Sequence, residues 1–206
     1  MNFYLLPGMG ADSSMYGAEF RKIDQLTLLD WPEYANEKSL SEIAKKVIRL
    51  YRIRDGDIVG GSSLGGMVAA EISKSVELEK IFLIGSSLRS ENLNPVLRQA
   101  GSTVDAAPVG TLQRIAEIAA IFSFGHLKKV LKMFCKADEL FMKAMCRAIC
   151  EWEGCPVPQS SVCMIHGKKD RIIFPEKDSL IIENAGHMIA MTHEMPVVNF
   201  IRCNLK

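Results

Sequence analysis

The segment Ile58-Val59-Gly60-Gly61-Ser62-Ser63-Leu64-Gly65-Gly66-Met67 passes from a short apolar run through glycines into helical spacing, with Met67, Val68, Ala70 and Ile72 following. Gly61 to Gly65 fits the pattern G-x-S-x-G with Ser63 at the centre; Ser62 fails the frame, because Leu64 stands two residues after it. The glycines have a physical purpose. A chain that turns sharply from strand into helix holds its central residue in a strained backbone conformation, and bulky neighbours at the flanking positions would collide. The central hydroxyl is thereby raised above the sheet, in front of the amides that open the helix. Taken alone, the same pattern also describes a glycine-rich turn with a structural serine.

Working outward, Lys80 to Gly85 and Ser161 to His166 are apolar runs that read, like Ile58 to Gly61, as buried strands; Asn2 to Leu6, Leu26 to Asp30 and Ser179 to Glu183 read as further strands. Ser39 opens a helix with Leu40, Ile43, Ala44, Val47, Ile48 and Tyr51 on one face, and Glu42 three residues later gives a capping-box signature. Strands alternating with helices imply βαβ crossovers and a mostly parallel sheet covered on both faces, so the fold class is α/β. From about Leu88 to Pro158 the alternation stops. Leu112 to Phe124, His126 to Lys136 and Ala137 to Trp152 all have helical spacing with no strand between them, which reads as a helical insertion ended by Pro156 and Pro158. The expected organisation is one domain over 1–206, with a core of 1–87 and 159–206 and the insertion over about 88–158.

Composition narrows the function classes. The 206 residues are 48% apolar and 24% charged, which excludes a disordered or collagen-like chain. Twenty-five basic side chains oppose twenty-four acidic ones, a formal net charge of +1, so no chain-wide field draws the protein to nucleic acid or to an anionic membrane. Any charged partner must be met by a local patch. No apolar stretch approaches the roughly 18 residues of a membrane span. Met1 to Leu6 lacks a basic region or a cleavage site and reads as the first strand of the mature fold. Six cysteines are too sparse for a disulfide scaffold; free thiols in a reducing, cytoplasmic setting are the simpler reading.

Two further segments follow Ser63 in the chain order that a serine nucleophile, an acid and a histidine take around such a turn. His166-Gly167-Lys168-Lys169-Asp170 comes directly after a strand, which puts Asp170 on the sheet edge that also carries Ser63. Glu183-Asn184-Ala185-Gly186-His187 follows the last strand, with Gly186 permitting the turn that brings the imidazole over that edge. In this arrangement His187 takes the Ser63 proton and Asp170 holds the imidazole in the required tautomer. Each residue singly also reads as an ordinary loop side chain; the ordered set of three favours the catalytic reading. Leu5-Leu6-Pro7-Gly8-Met9-Gly10 supplies a turn whose Met9 amide pairs with that of Leu64 as a candidate oxyanion hole.

These four segments resemble the α/β-hydrolase family over nearly the whole chain: Gly8-Met9 its oxyanion turn, Gly61 to Gly65 its nucleophile elbow, His166 to Asp170 its acid loop and Gly186-His187 its histidine loop. The insertion falls where that family carries a helical lid. The resemblance implies an α/β-hydrolase fold and a serine hydrolase without metal or organic cofactor, acting on a small-molecule ester or thioester. Small members include carboxylesterases, thioesterases and esterases of pimeloyl groups on acyl carrier protein. Carbon–carbon bond hydrolysis and perhydrolysis use the same triad, and a noncatalytic small-ligand binding protein on this fold is the reading from another class. Three features depart from the family pattern. Pro7 stands where many relatives have histidine, no antiparallel hairpin precedes the first strand, and Pro175 lies five residues after Asp170 rather than four.

Weaker signals complete the reading. His193, six residues after His187, is the competing base; His166 reads as structural and His126 as solvated. Cys146, Cys150 and Cys155 lack a fourth soft ligand nearby and read as packing thiols rather than a metal set. Met9, Met15, Met67, Met188 and Met191 lie near the site segments and suit an adaptable acyl pocket, with Met9 and Met188 the chosen substrate contacts. Lys128, Lys129, Lys132 and Lys136 form an acid-free stretch that suits an acidic partner such as acyl carrier protein, or else a solvated helix face. Oligomeric state is left open by the sequence.

Overall fold

The apolar runs become six strands of one sheet: β1 (Phe3–Leu6), β2 (Leu26–Leu28), β3 (Ile58–Ser62), β4 (Lys80–Ile84), β5 (Val162–Gly167) and β6 (Leu180–Ile182). All neighbours are parallel, in the order β2-β1-β3-β4-β5-β6. The computed structural model describes residues 1–101, 108–157 and 161–205, so Pro158, expected to help end the insertion, lies outside the described residues. Around the sheet stand α1 (Leu40–Tyr51), α2 (Leu64–Ile72), α3 (Pro95–Gly101), α4 (Val109–Phe122), α5 (Gly125–Lys136), α6 (Glu139–Glu151), α7 (Ile189–Thr192) and α8 (Glu194–Asn204). Among the described residues no helix is long and apolar enough to cross a membrane.

Side chains alternate across a strand, and here both alternating sets are apolar because both faces are covered. Leu6, Val59, Ile81 and Leu83 pack with α1, α2 and α6; Phe3, Leu5, Ile58, Phe82, Ile84 and Ile165 pack with α8 and the segment between β1 and β2. The capping box at α1 forms in a shifted version. Ser39 Oγ accepts from the Glu42 amide at 3.2 Å, while the Glu42 carboxylate accepts from the Lys38 amide at 2.7 Å rather than from Ser39.

Topology puts the functional edge at one point. From β1 the chain moves outward to β2, then returns to the other side of β1 for β3, so the segments leaving β1 and β3 go to opposite faces of the sheet. Such a reversal opens a crevice at the carboxyl ends of the two strands. Leu6 is in register with Gly61, so Pro7-Gly8-Met9 and Ser62-Ser63 emerge side by side.

Several expectations are adjusted. The crossover between β5 and β6 contains no helix, and only two 3-10 turns, Ser13–Met15 and Phe20–Lys22, lie between β1 and β2. The C-terminal helix α8 escaped sequence notice because Pro196 interrupts its pattern; the proline sits in the first turn, where a missing amide hydrogen costs no helical bond. The helical insertion runs through α3 to α6, and α3 was not foreseen. The insertion leaves and re-enters the sheet at one place, with the Cys155 amide on the Leu88 carbonyl at 2.8 Å. Its last helix is anchored by Trp152, whose indole donates to the buried Glu71 of α2 at 2.8 Å.

The start of α2 fits against β1 only because Gly65 has no side chain: a Cβ there would meet the carbonyl oxygens of Leu6 and Pro7 at 2.5 Å each. Gly65→Ala is therefore expected to destabilise the protein by about 3 kcal/mol, since backbone rather than a flexible side chain must give way. Urea denaturation followed by circular dichroism checks this.

Candidate active site

Ser63 closes β3 and caps α2 with φ +52° and ψ −119°, a conformation that costs a side-chain-bearing residue of order 1–3 kcal/mol. Local contacts hold it there. Its amide donates to the Ile84 carbonyl at 3.1 Å, and Ser86 Oγ donates to the Ser63 carbonyl at 2.7 Å. Gly61 is required for the turn, because a Cβ would lie 2.4 Å from the carbonyl carbon of Gly65. Ser63 Oγ lies 2.9 Å from His187 Nε2, and His187 Nδ1 lies 2.8 Å from Asp170 Oδ2. The structure thus brings together the three side chains chosen from the sequence.

The loops that carry the acid and the histidine touch each other at Gly167. A Cβ on Gly167 would lie 2.4 Å from the Gly186 carbonyl oxygen, and the Lys169 amide donates to the Ala185 carbonyl at 2.9 Å. The expectation for Gly186 is corrected here. It has no positive φ, and its Cβ would meet only the Lys169 carbonyl oxygen at 4.0 Å, so the glycine that this approach needs is Gly167.

Asp170 is almost fully buried, and its carboxylate accepts four hydrogen bonds. Oδ1 takes the amides of Ile172 and Ile173 at 2.8 and 3.1 Å; Oδ2 takes His187 and His166. His166 Nε2 lies 2.9 Å from Oδ2 and 2.8 Å from the Ile173 carbonyl oxygen. A carbonyl only accepts, so Nε2 carries the hydrogen and donates to both oxygens. His166, read from the sequence as merely structural, is therefore a buried partner of the acid. The sequence offered one signal for this, its place four residues before Asp170 at a strand end. Burial by itself pushes the Asp170 carboxyl up, but the hydrogen bonds from His166 and His187 and from the Ile172 amide outweigh it and hold the group well below the usual carboxylate range. An ionised Asp170 fixes hydrogen on His187 Nδ1 and leaves the Nε2 lone pair facing Ser63.

On the other side of the crevice, Gly8 lies beside Ser63: a Cβ on Gly8 would sit 3.8 Å from Ser63 Cβ. Trp31 Nε1 donates to the Gly8 carbonyl at 3.0 Å, and the Ala11 amide donates to the same oxygen at 3.3 Å. In a trans peptide the N–H points opposite to the preceding carbonyl, so these bonds direct the Met9 N–H away from Trp31. Neither the Met9 nor the Leu64 N–H makes a hydrogen bond among the described residues. Trp31 was not singled out in the sequence, where nothing links it to Gly8.

No protein-family model and no curated protein sequence matches the chain. Solved structures do. A thermophilic esterase from Thermogutta terrifontis aligns at 18% identity with a TM-score of 0.74, covering 100% of this chain and 89% of its own. The enol-lactonase of Burkholderia xenovorans aligns at 16% identity and 0.69, covering 99% and 91%. MenH of S. aureus aligns at 14% identity and 0.68, covering 100% and 95%. The chain has the α/β-hydrolase fold.

Within this fold the remaining candidates separate clearly. His193 lies between α7 and α8 and pairs with Thr192 Oγ1 at 2.9 Å, away from Ser63. Met15, Met67 and Met191 are buried in the two cores, so the methionines proposed for an acyl pocket reduce to the exposed Met9 and Met188. Met9 Sδ lies 3.5 Å from Cys146 Sγ of α6, and a Cβ on Gly10 would meet Met142 Sδ at 3.4 Å and Phe134 at 3.6 Å, which brings the insertion over the turn that follows β1. Among the described residues no group of three His, Cys, Asp or Glu is arranged to hold a metal ion. His126 is exposed.

The lowered Asp170 value has a sign that can be tested. A carboxylate whose pKa is lower folded than unfolded stabilises the fold above the unfolded value of about 3.9, and that contribution drains away as pH falls toward the folded value. Asp170→Asn is expected to cost about 2 kcal/mol at pH 7. The gap to the parent should narrow as the pH is lowered from 5 toward 3, read from urea midpoints across that range.

Proposed function

We propose that the protein is a serine hydrolase that cleaves a carboxylic ester or thioester through an acyl-enzyme on Ser63. One observation carries this reading: an unbroken hydrogen-bonded line from Ser63 Oγ through both nitrogens of His187 to Asp170, at 2.9 and 2.8 Å. His187 Nε2 takes the hydroxyl proton as Ser63 Oγ attacks the acyl carbon, and the carbonyl electron pair moves onto oxygen. The Met9 and Leu64 N–H groups receive that oxyanion. Collapse expels the alcohol or thiol, which leaves with the proton from His187. Water, deprotonated by His187, then attacks the acyl carbon, and Ser63 departs with that proton and frees the acid. Met9 and Met188, both exposed, are the acyl contacts, with Cys146 of α6 against the Met9 thioether.

Solved structures of the same fold are named as an esterase, an enol-lactonase and an N-acyl homoserine lactonase, and lactones are cyclic esters. Their names support ester chemistry as the first to assay. A fluorophosphonate probe is expected to label Ser63 in the folded protein and to be blocked by Ser63→Ala. Turnover of p-nitrophenyl esters, acyl thioesters and lactones of graded chain length is expected to fall at least about 10⁴-fold in the same variant. Activity that survives the substitution overturns the assignment.

Trp31 acts through the Gly8 carbonyl. Trp31→Phe keeps a ring beside Phe141 but removes the donor that orients the Gly8–Met9 peptide. The expected result is a fall in kcat of roughly ten- to a hundredfold with KM little changed, read from steady-state kinetics on the best ester.

A further inference from the structure

The hairpin of α4 and α5 has a surface unlike the rest of the molecule. On α4, Leu112, Ile115, Ile118 and Phe122 recur at three- and four-residue spacing and are all exposed, Phe122 by 76%. The apolar surface continues over the turn through Phe124, 86% exposed, to Leu127. Val109, Ala116 and Ala120 are the residues that α4 buries, so its packing demand is met without this stripe. An exposed apolar surface of this extent, with aromatic rings at its tip, marks a contact that the isolated chain does not make.

Charge on the same hairpin identifies the occupant. Residues 108–136 hold Arg114, Lys128, Lys129, Lys132 and Lys136 against Glu117 alone, a net +4 in a chain whose formal net charge is +1. Lys128, Lys132 and Lys136 follow one another at i, i+4 and i+8 on α5, and with Arg114 they line a groove of about 820 Å³ between the helices. Ile121, near the turn, and Glu117, the hairpin's one acidic side chain, line it as well, so a groove of net positive charge opens beside the apolar tip.

We propose that the α4–α5 hairpin docks the protein on an anionic phospholipid surface, with Phe122, Phe124 and Leu127 entering the hydrocarbon boundary and the groove cations meeting lipid phosphates. A bilayer interface offers anions and hydrocarbon in the vertical order that the hairpin presents. A second copy of the chain would set the same net +4 against itself. An acidic folded protein would match the lysines but would also need a concavity for three projecting apolar side chains. The chain-wide charge gives no attraction to a membrane; the local patch does. Docking here requires nothing of the chemistry at Ser63.

The test is co-sedimentation of the full chain with phosphatidylcholine vesicles, with and without about 30 mol % phosphatidylglycerol. Binding is expected to the anionic vesicles, to be weak on the neutral ones, and to be lost at high salt, which screens the lysines. Each charge near such a surface contributes about fivefold, so Lys128→Glu combined with Lys132→Glu should weaken binding by about a hundredfold or more. Phe122→Ser combined with Phe124→Ser should weaken it at least about tenfold, because two rings no longer leave water. All four positions lie outside the catalytic line, so soluble-ester turnover and circular dichroism should be unchanged in both variants. Ser63→Ala should bind vesicles like the parent, which separates failure of this proposal from failure of the hydrolase reading. Absent or equal binding to both vesicle types overturns the proposal. So does binding indifferent to both double variants, or a concentration-dependent dimer that buries the stripe while vesicles are ignored.

Discussion

The Cβ atoms missing from Gly61 and Gly65 set the distance between β1 and the β3–α2 turn. With Gly65 packed against the carbonyls of Leu6 and Pro7, helix α2 begins directly beside the exit of β1, and Gly61 lets the chain double back tightly enough to do so. Two consequences arise from this one approach. Ser63 is forced into its positive-φ conformation, which lifts its hydroxyl from the sheet edge, and the Gly8–Met9 peptide is brought next to it. The strain at Ser63 persists because Ile84, Ser86 and the sheet register over-determine its position.

The opposite half of the site is built by a balance of burial and hydrogen bonding. A carboxylate hidden as deeply as Asp170 would ordinarily take up a proton; two amides and two imidazoles instead keep it charged. Its own loop, Asp170 to Ile173, supplies the amides, and the strand end supplies His166. The carboxylate is then a rigid acceptor with one direction open, toward His187 Nδ1. Glu176, further along the same loop, accepts from Ser87 Oγ and the Leu88 amide at 2.6 and 2.7 Å and so ties the acid loop to the exit of β4.

Insertion and core meet through a few specific contacts. Trp31 reaches the Gly8 carbonyl with its indole N–H while its ring lies 5.3 Å from that of Phe141 on α6, so one side chain spans the turn after β1 and the insertion. Helix α6 is anchored to the sheet side by the buried Glu71–Trp152 bond. Helix α5 reaches the other face of the core through Met133 and Val130, whereas α4, which carries the unpartnered apolar stripe, packs chiefly on α5.

Local pattern was enough to determine the parallel α/β architecture, the elbow at Ser63, the order of Asp170 and His187 after it, and the helical character of the insertion, because turn glycines, apolar periods and chain order are all properties of short segments. Helix α8 was missed because one proline masked an otherwise apolar face. What tertiary structure alone decided were relations between segments far apart in the chain. Among these are the donation from Trp31 to Gly8, the second imidazole on Asp170, the need for glycine at position 167 rather than 186, and the burial of three of the five methionines. A hydrogen bond or a steric limit between two loops leaves no period or motif in either one. Such relations exist only once the sheet has brought both loops to the same edge.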